Sequence, residues 1–208
     1  MVQTTSFYTD STEVTVAEYA LFLKAKGKDL AGQAKECEWN DTYEPLFEQG
    51  LPAVLPNHPV TNVDYCDAAA YCSWADKQLC AKIGGGELQS ADLADPQKSQ
   101  WFLACAGPKG QGYPYGTAFK SGACNDGMPV GTLAVVGSYA QCQGYYPGLF
   151  DMIGNALEWT GTCLQHTGKG DTCERIGGSF TGAATCGVSS AAVREKQAHD
   201  LGFRCCSK

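Results

Sequence analysis

Apolar residues recur at helical spacing in the first half of the chain. Thr15 and Glu18 match the capping-box pattern that starts a helix, and Tyr19 and Phe22 follow on one face. Gly27 then marks a stop, because glycine at the C-terminal cap adopts a backbone conformation that other residues avoid. The pattern predicts a first helix between Thr15 and Gly27.

Two further helices are predicted before the middle of the chain. Asp64 is placed to cap the second, Asp67 stands at its third position, and apolar residues continue towards Lys77. A third helix over residues 97–106 is expected to open at Pro96 and to turn its aromatic residues inward.

Regular structure is harder to recognise elsewhere. Residues 28–57 are polar and proline-rich and indicate a long surface excursion, and Gly, Pro and Asn recur from 107 to 148. Short strands are predicted over residues 7–12, 134–136, 156–160, 175–180 and 201–205. Without an internal repeat or a linker, the pattern indicates one α+β domain over residues 1–208.

Twelve cysteines in 208 residues change this picture most. An even, high count is typical of disulfides and an oxidising compartment, which predicts an extracellular or cell-surface location. A metal protein is the alternative, but the three histidines are isolated and no Cys-x-x-Cys pair occurs. Reduced thiols in a cytosolic protein remain a further alternative.

Charge and hydropathy exclude two function classes. The net charge is −7 with no Lys/Arg cluster, which argues against nucleic-acid binding and is compatible with binding a cation. No apolar run approaches the roughly 20 residues of a membrane span. The first residues lack the charged and apolar regions of a secretory leader.

Four segments carry a family resemblance. In order and rough spacing the chain is similar to the formylglycine-generating-enzyme, or sulfatase-modifying-factor, family at residues 10–15, 58–75, 148–160 and 175–205. Leu157 departs from the tryptophan usual in that family. The resemblance implies a C-type-lectin-like α+β fold, irregular and loop-rich, that is ordered by disulfides and calcium.

The third segment contains candidate calcium ligands. The resemblance implies a structural calcium held by the Asp151 and Glu158 side chains and the Gly154 and Ala156 carbonyls, which are hard oxygen donors. The alternative is that Asp151 caps a turn and Glu158 pairs with an arginine. A second family site would lie near residues 125–126, where the spacing matches poorly.

The resemblance also implies two long-range disulfides, Cys72 with Cys205 and Cys105 with Cys186. Proximity in sequence predicts two local disulfides, Cys124 with Cys142 and Cys163 with Cys173. Four cysteines cannot be assigned from the sequence, Cys37, Cys66, Cys80 and Cys206.

The family's enzymes oxidise a substrate cysteine with copper held by two cysteines just after the Gly-Gly-Ser-aromatic motif. Here residues 181–185 follow Phe180 without a cysteine, and the next one, Cys186, matches a structural position. Copper is therefore not expected, since Cu(I) selects soft sulfur ligands. Iron chemistry of another family branch would need clustered histidines. We predict no catalytic residue, and an oxidoreductase with a relocated site remains the alternative.

Residues 181–200 lie between two rigid motifs and are the candidate ligand-binding segment. Some relatives are variable proteins of diversity-generating retroelements, in which this segment forms a diversified binding surface. The candidate ligand-binding residues are Thr185, Val188, Ser189, Ser190, Ala192, Arg194, Ala198, His199 and Asp200.

The resulting hypothesis is a non-catalytic ligand-binding or display protein, with a protein or glycan as the ligand. Tyr145 and Tyr146 are possible contributors to its surface, whereas Trp159 is expected in the core. The alternatives are a loop of small residues without special origin, or a structural domain of a larger secreted protein.

Overall fold

The computed structural model describes residues 1–46, 55–127, 131–182 and 184–207. Parts of the predicted excursion and of the candidate ligand-binding segment, residues 47–54 and 183, therefore lie outside the described residues. The helices are α1 (Val16–Lys26), α2 (Tyr65–Trp74) and α3 (Gln100–Ala106).

The first two helices begin at capping boxes, which confirms the predicted box of α1 and the predicted cap of α2 at Asp64. In α1 the Thr15 hydroxyl accepts from the Glu18 N–H at 3.2 Å, and Glu18 Oε2 accepts from the Thr15 N–H at 2.8 Å. In α2 the same exchange joins Asp64 and Asp67, at 3.0 Å in both directions. Gly27 closes α1 at a φ of +54°, a value that glycine tolerates best.

The third helix starts three residues later than the predicted boundary. Asp95 first organises a turn, since its carboxylate accepts from the Gln97 N–H and its carbonyl accepts from the N–H groups of Lys98 and Ser99. The Ser99 hydroxyl then caps α3 by accepting from the Phe102 N–H. The prediction that Pro96 opens the helix was wrong.

Eight short strands form two sheets in the described part of the chain. They are β1 (Val2–Gln3), β2 (Tyr8–Thr9), β3 (Gln78–Leu79), β4 (Leu157–Cys163), β5 (Thr172–Ile176), β6 (Ser189–Val193), β7 (Leu201–Phe203) and β8 (Cys205–Cys206). One sheet is antiparallel, in the order β1-β2-β8-β3, and brings the N-terminus against the C-terminus.

The second sheet has the order β6-β5-β4-β7, with β4 and β7 parallel and the other pairs antiparallel. It confirms strands near 156–160 and 201–205, whereas β5 overlaps the strand predicted over 175–180 only at residues 175 and 176. No strand covers residues 134–136, and the predicted strand over 7–12 shrinks to β2. Strands β1, β3 and β6 were missed.

Two clusters of buried side chains form the core. One surrounds α3 and the turn before β4, with Trp101, Leu149, Met152, Ile153 and Ile176 among its members. The other lies between α1, α2 and the second sheet, with Tyr19, Phe22, Tyr71, Trp159 and Phe203 among its members. The expectation that Trp159 belongs to the core is therefore confirmed.

All twelve cysteines lie in six disulfides: Cys37–Cys66, Cys72–Cys205, Cys80–Cys206, Cys105–Cys186, Cys124–Cys142 and Cys163–Cys173. Four of these are the pairs expected above, and the other two join the cysteines left unassigned. The Cys37–Cys66 bond ties the excursion to α2, and Cys37 and Tyr43 are buried. This part of the excursion therefore contributes to the core.

Two disulfides run side by side at the C-terminus. Cys72–Cys205 joins α2 to β8, and Cys80–Cys206 joins the end of β3 to the next residue of β8. When one of these disulfides is intact, the other closes a ring of only about ten residues. The paired cysteines themselves are separated by 133 and 126 residues in sequence. Each disulfide therefore substitutes partly for its neighbour.

This redundancy predicts a non-additive loss of stability. In the chain-entropy model, removing either pair alone costs about 3 kcal/mol, whereas removing both costs about 7–8 kcal/mol. Urea denaturation of Cys72→Ala/Cys205→Ala, Cys80→Ala/Cys206→Ala and the combined variant measures these losses. Additive losses would contradict the shared ring.

Candidate functional site

The Gly-Gly-Ser-Phe motif follows the end of β5 and needs both glycines. A Cβ on Gly177 would lie 2.9 Å from the Trp101 ring and 3.0 Å from the Met152 carbonyl oxygen, and Gly178 has a φ of +70°. The absence of these side chains lets the chain pass close to α3 and then turn towards Ala184.

The residues after this motif present no thiol. Cys186 is fully buried and bonded to Cys105 of α3. Every other cysteine of the chain is also in a disulfide. A copper ion bound by two thiolates beside Phe180 would require residues that this segment does not contain.

The candidate ligand-binding segment contains β6, an edge strand. Val188 is 43% exposed, and Ser189 and Ser190 are exposed as well. Successive side chains of a strand point to opposite faces. Ser190, which pairs with Arg175, therefore lies on the same face of β6 as Ala192, two residues further on. Ser189 points to the opposite face. The predicted residues therefore do not form one continuous face.

Arg194 does not belong to this surface, which corrects the sequence-based assignment. It is buried, donates to Asp171 Oδ2 at 3.2 Å and to the Gln165 carbonyl oxygen at 3.1 Å, and stacks on Tyr65 with 4.7 Å between the guanidinium carbon and the ring centroid. Its backbone N–H also donates to the Asp171 carbonyl oxygen at 2.7 Å. Arg194 therefore anchors the chain where β6 ends.

The last candidate residues lie beside the Gly-Gly-Ser-Phe motif. Asp200 Oδ2 accepts from the Ser179 hydroxyl at 2.9 Å, and the exposed His199 ring lies 5.8 Å from the Phe180 ring centroid. Ala198 is half-buried and packs against the second core cluster. The structure thus brings both ends of the candidate segment together.

The remaining candidates differ in exposure. Thr185 is half-buried, and its carbonyl oxygen accepts from the Val188 N–H at 3.1 Å. Tyr145 is 41% exposed, and its ring stands 5.2 Å from that of the half-buried Tyr146. These tyrosines present aromatic surface that could contact a ligand.

A buried ion pair lies at the predicted calcium position. Arg204 Nε lies 2.9 Å from both carboxylate oxygens of Glu158, and the Trp101 indole N–H donates to Glu158 Oε2 at 2.7 Å. This is the arginine pairing weighed above as the alternative. Both oxygens of Glu158 face N–H donors, so this carboxylate does not fit a calcium ligand in the described arrangement.

The remaining donors of Arg204 bind backbone. Its Nη1 donates to the Asp10 carbonyl oxygen at 3.3 Å, and its Nη2 donates to the Phe150 and Asp151 carbonyl oxygens at 3.1 and 3.0 Å. One guanidinium therefore joins the N-terminal region, the turn before β4, β4 itself and the end of β7. Sequence reasoning missed this role, although the Gly-Phe-Arg-Cys motif was visible.

Two more acidic groups surround this pair. Asp151 is buried at a φ of +54°, and its Oδ2 accepts from the Gly137 N–H. Burial raises the pKa of Asp151 to about 6. Burial, and next the charge of Asp151, raise the pKa of Glu13 well above its usual range. The sequence analysis did not single out Glu13. Its position in the Glu-Val-Thr motif is the sequence feature that would have pointed to it.

The residues described in this region do not fit a metal ion. The described residues contain no group of three or more His, Cys, Asp or Glu side chains arranged to hold a metal. Glu13 Oε2, however, is buried and has no hydrogen-bond partner among them. One unpartnered carboxylate oxygen is far fewer than calcium requires, and the predicted partnership of Asp151 with Glu158 does not fit a calcium site either.

The second predicted calcium region is similarly incomplete. Asn125 donates to Asn155 Oδ1 at 3.0 Å, while Asn125 Oδ1 and Asp126 Oδ2 have no hydrogen-bond partner among the described residues. Burial raises the pKa of Asp126. The side chains of Asn125 and Asp126 supply fewer oxygens than calcium requires, so we assign no role to calcium there.

Comparison with known proteins decides the family. The family model described as the sulfatase-modifying factor enzyme 1-like domain matches residues 1–208. The chain belongs to the FGE-sulfatase family. This result confirms the resemblance inferred from the four sequence segments.

Several relatives of this family can be compared in sequence. An inactive C-alpha-formylglycine-generating enzyme 2 from Mus musculus is 28% identical over 168 residues, covering 72% of this chain and 49% of the relative. A formylglycine-generating enzyme from Thermomonospora curvata is 32% identical over 205 residues, covering 76% and 60%. The chain spans about half the length of the inactive relatives it matches.

Solved structures share the fold. CarF superposes with a TM-score of 0.65 at 20% identity, covering 97% of this chain and 86% of CarF. Treponema denticola variable protein 1 superposes with a TM-score of 0.59 at 20% identity, covering 97% and 84%. These likenesses confirm the α+β fold of the FGE-sulfatase family. In the described residues, no helix is both long and apolar enough to cross a membrane.

The Arg204 contacts predict a large loss on substitution. Arg204→Met leaves Glu158 buried without its partner and should lower the free energy of unfolding by about 3–5 kcal/mol. The control is Lys98→Met, which removes an exposed pair with Asp92 and should cost less than about 1 kcal/mol. Urea denaturation at pH 7 measures both, and equal losses would contradict the role given to Arg204.

Proposed function

We propose that the chain is a non-catalytic ligand-binding protein built on a C-type-lectin-like scaffold. The observation that carries this proposal is the absence of a thiol after the Gly-Gly-Ser-Phe motif, where Cys186 is bonded to Cys105. Oxidation of a substrate cysteine by a copper–thiolate centre would need two sulfur ligands at that point.

The relatives support a role without this chemistry. Two of them, from Mus musculus and Bos taurus, carry the name inactive C-alpha-formylglycine-generating enzyme 2. A protein of the same fold is called a variable protein. Because fold alone does not fix function, the argument still depends on the residues of this chain.

The binding surface in this proposal comprises the exposed side chains on both faces of the edge strand β6, together with His199 and Asp200. Its backbone is fixed, because β6 pairs with β5 and because Arg194, the residue that follows β6, is bound to Asp171. A backbone that is already ordered lowers the entropy lost on binding. Because the exposed side chains contribute little to the stability of the fold, these positions can vary while the framework stays in place.

The partner we propose is a protein or a glycan outside the cell. Six disulfides are typical of an oxidising compartment, and an extracellular or cell-surface location follows from the same reasoning. The net charge of −7 argues against a nucleic-acid ligand.

A turnover assay tests the non-catalytic part of the proposal. Incubated with Cu(I), oxygen and a cysteine-containing peptide substrate, this protein should produce no formylglycine, because its described cysteines offer no thiolate pair. The formylglycine-generating enzyme of Thermomonospora curvata serves as the positive control. Peptide mass spectrometry detects the aldehyde product, and turnover by this protein would refute the proposal.

A substitution library tests the surface. Randomising Val188, Ser189, Ser190 and His199 should change the free energy of unfolding by about 0.5 kcal/mol or less in most variants, because these side chains are exposed. The same randomisation at the buried Arg194 should destabilise nearly every variant.

Display of the library with protease resistance as the readout measures both effects. Binders to a purified protein target should then be recoverable from the stable fraction. Equal sensitivity at the two sets of positions, or a stable library that yields no binder, would contradict a display surface.

A further inference from the structure

Strand β6 has one open edge. In the described part of the second sheet it pairs with β5 alone. The Gly177 N–H donates to the Val188 carbonyl oxygen at 3.1 Å, and this bond belongs to the register of the β5–β6 ladder. Because bonded pairs alternate along an antiparallel ladder, Ser190 and Ala192 direct their backbone groups towards β5.

The residues between these bonded pairs direct their backbone groups outward. They are Ser189, Ala191 and Val193, and each is exposed. None of their N–H groups has a hydrogen-bond partner among the described residues. The Val193 carbonyl oxygen accepts from the Lys196 N–H at 2.9 Å, and the Ala191 carbonyl oxygen accepts from Arg175 Nη2 at 3.4 Å. The open edge therefore offers more free donors than free acceptors.

The sequence of β6 leaves this edge unprotected. Natural edge strands are commonly blocked by lysine, proline or a bulge. Strand β6 is Ser-Ser-Ala-Ala-Val, without a charged residue or a proline, and it pairs with β5 in a single register. Its small side chains allow a further backbone to approach to the usual strand spacing of about 4.8 Å. A regular open edge of this kind matches another extended backbone.

A guanidinium lies at the same edge. Arg175 of β5 extends over Ser190, to whose hydroxyl its Nη2 donates at 3.2 Å, and reaches the outward carbonyl oxygen of Ala191. Asp200 and Glu174 are close enough to act on its charge, but neither forms an ion pair with it among the described residues. Arg175 therefore supplies a positive charge that an acidic side chain beside β6 can contact.

We propose that β6 binds an extended segment of a partner protein by strand addition, and that Arg175 selects an acidic side chain in that segment. The outward N–H groups of β6 donate to carbonyl oxygens of the segment, and every second side chain of the segment lies on the face of Arg175. This inference rests on the ligand-binding function proposed above and narrows its partner to a protein.

A second copy of this chain fits the edge less well. Pairing of two β6 strands joins only five residues from each copy. Stable interfaces bury about 800 Å² on each partner and involve about 20–30 residues a side. Antiparallel pairing would also bring the Arg175 guanidinium groups of both copies to one face, where like charges repel.

Selection from a displayed library of short random peptides tests the proposal on the disulfide-intact protein. The enriched peptides should share one aspartate or glutamate at a fixed position. Fluorescence anisotropy of such a peptide should show about threefold weaker binding when its acid is replaced by the amide. The same replacement should have no effect on binding to the Arg175→Gln variant, because the charge partner is gone.

The Ala191→Pro variant tests the backbone contact. Proline removes an N–H that points away from β5, so an edge strand tolerates it, yet peptide binding should fall at least about fivefold. The matched control is Ala191→Thr, which changes the side chain, keeps the N–H and should retain peptide binding. Equal binding by the two variants would overturn strand addition.

Amide hydrogen exchange of the wild-type protein gives the same readout if Ala191→Pro does not fold. The N–H groups of Ser189, Ala191 and Val193 should exchange more slowly once the peptide is bound. Ser190 and Ala192, which already bond to β5, are the internal reference. Unchanged exchange at the three outward groups would contradict the inference.

Two further results would overturn strand addition by a partner. One is a library that enriches no peptide, or peptides that share no acidic residue. The other is a concentration-dependent dimer in sedimentation that Ala191→Pro abolishes. If peptide selection fails while the substitution library described above still yields binders, the ligand-binding function stands and only strand addition is wrong.

Discussion

The buried guanidinium of Arg204 is the interaction on which the rest of the fold depends. It binds Glu158 of β4 and three carbonyl oxygens, one of Asp10 and two of the consecutive residues Phe150 and Asp151. Most of those segments are loops, which have no ladder of backbone hydrogen bonds to fix them. A single planar group with five donors can order them together, because its geometry specifies where each acceptor must lie.

This arrangement divides the molecule into a fixed part and a replaceable part. Disulfides and Arg204 order the region around α2, β4 and the C-terminus, whereas β6 contributes exposed side chains to the edge of a sheet. Arg194 marks the boundary, since it follows β6 directly and is bound to Asp171. Variation on one side of that boundary need not disturb packing on the other.

The sequence predicted what local chemistry determines. The caps at Thr15 and Asp64 depend on residues three positions apart, so they were found. Strand β6 was missed because its small residues show no alternation of apolar and polar side chains. The burial of Arg194 and Glu13 depends on partners more than 20 residues away, and no pattern within their own segments reveals it.

The same electrostatics influences the protonation of the buried acids. Arg204 neutralises one of three buried carboxylates, and burial raises the pKa of Asp151 and Glu13. A raised pKa favours the protonated form of each acid more than water does, and Glu13 Oε2 has no hydrogen-bond partner among the described residues.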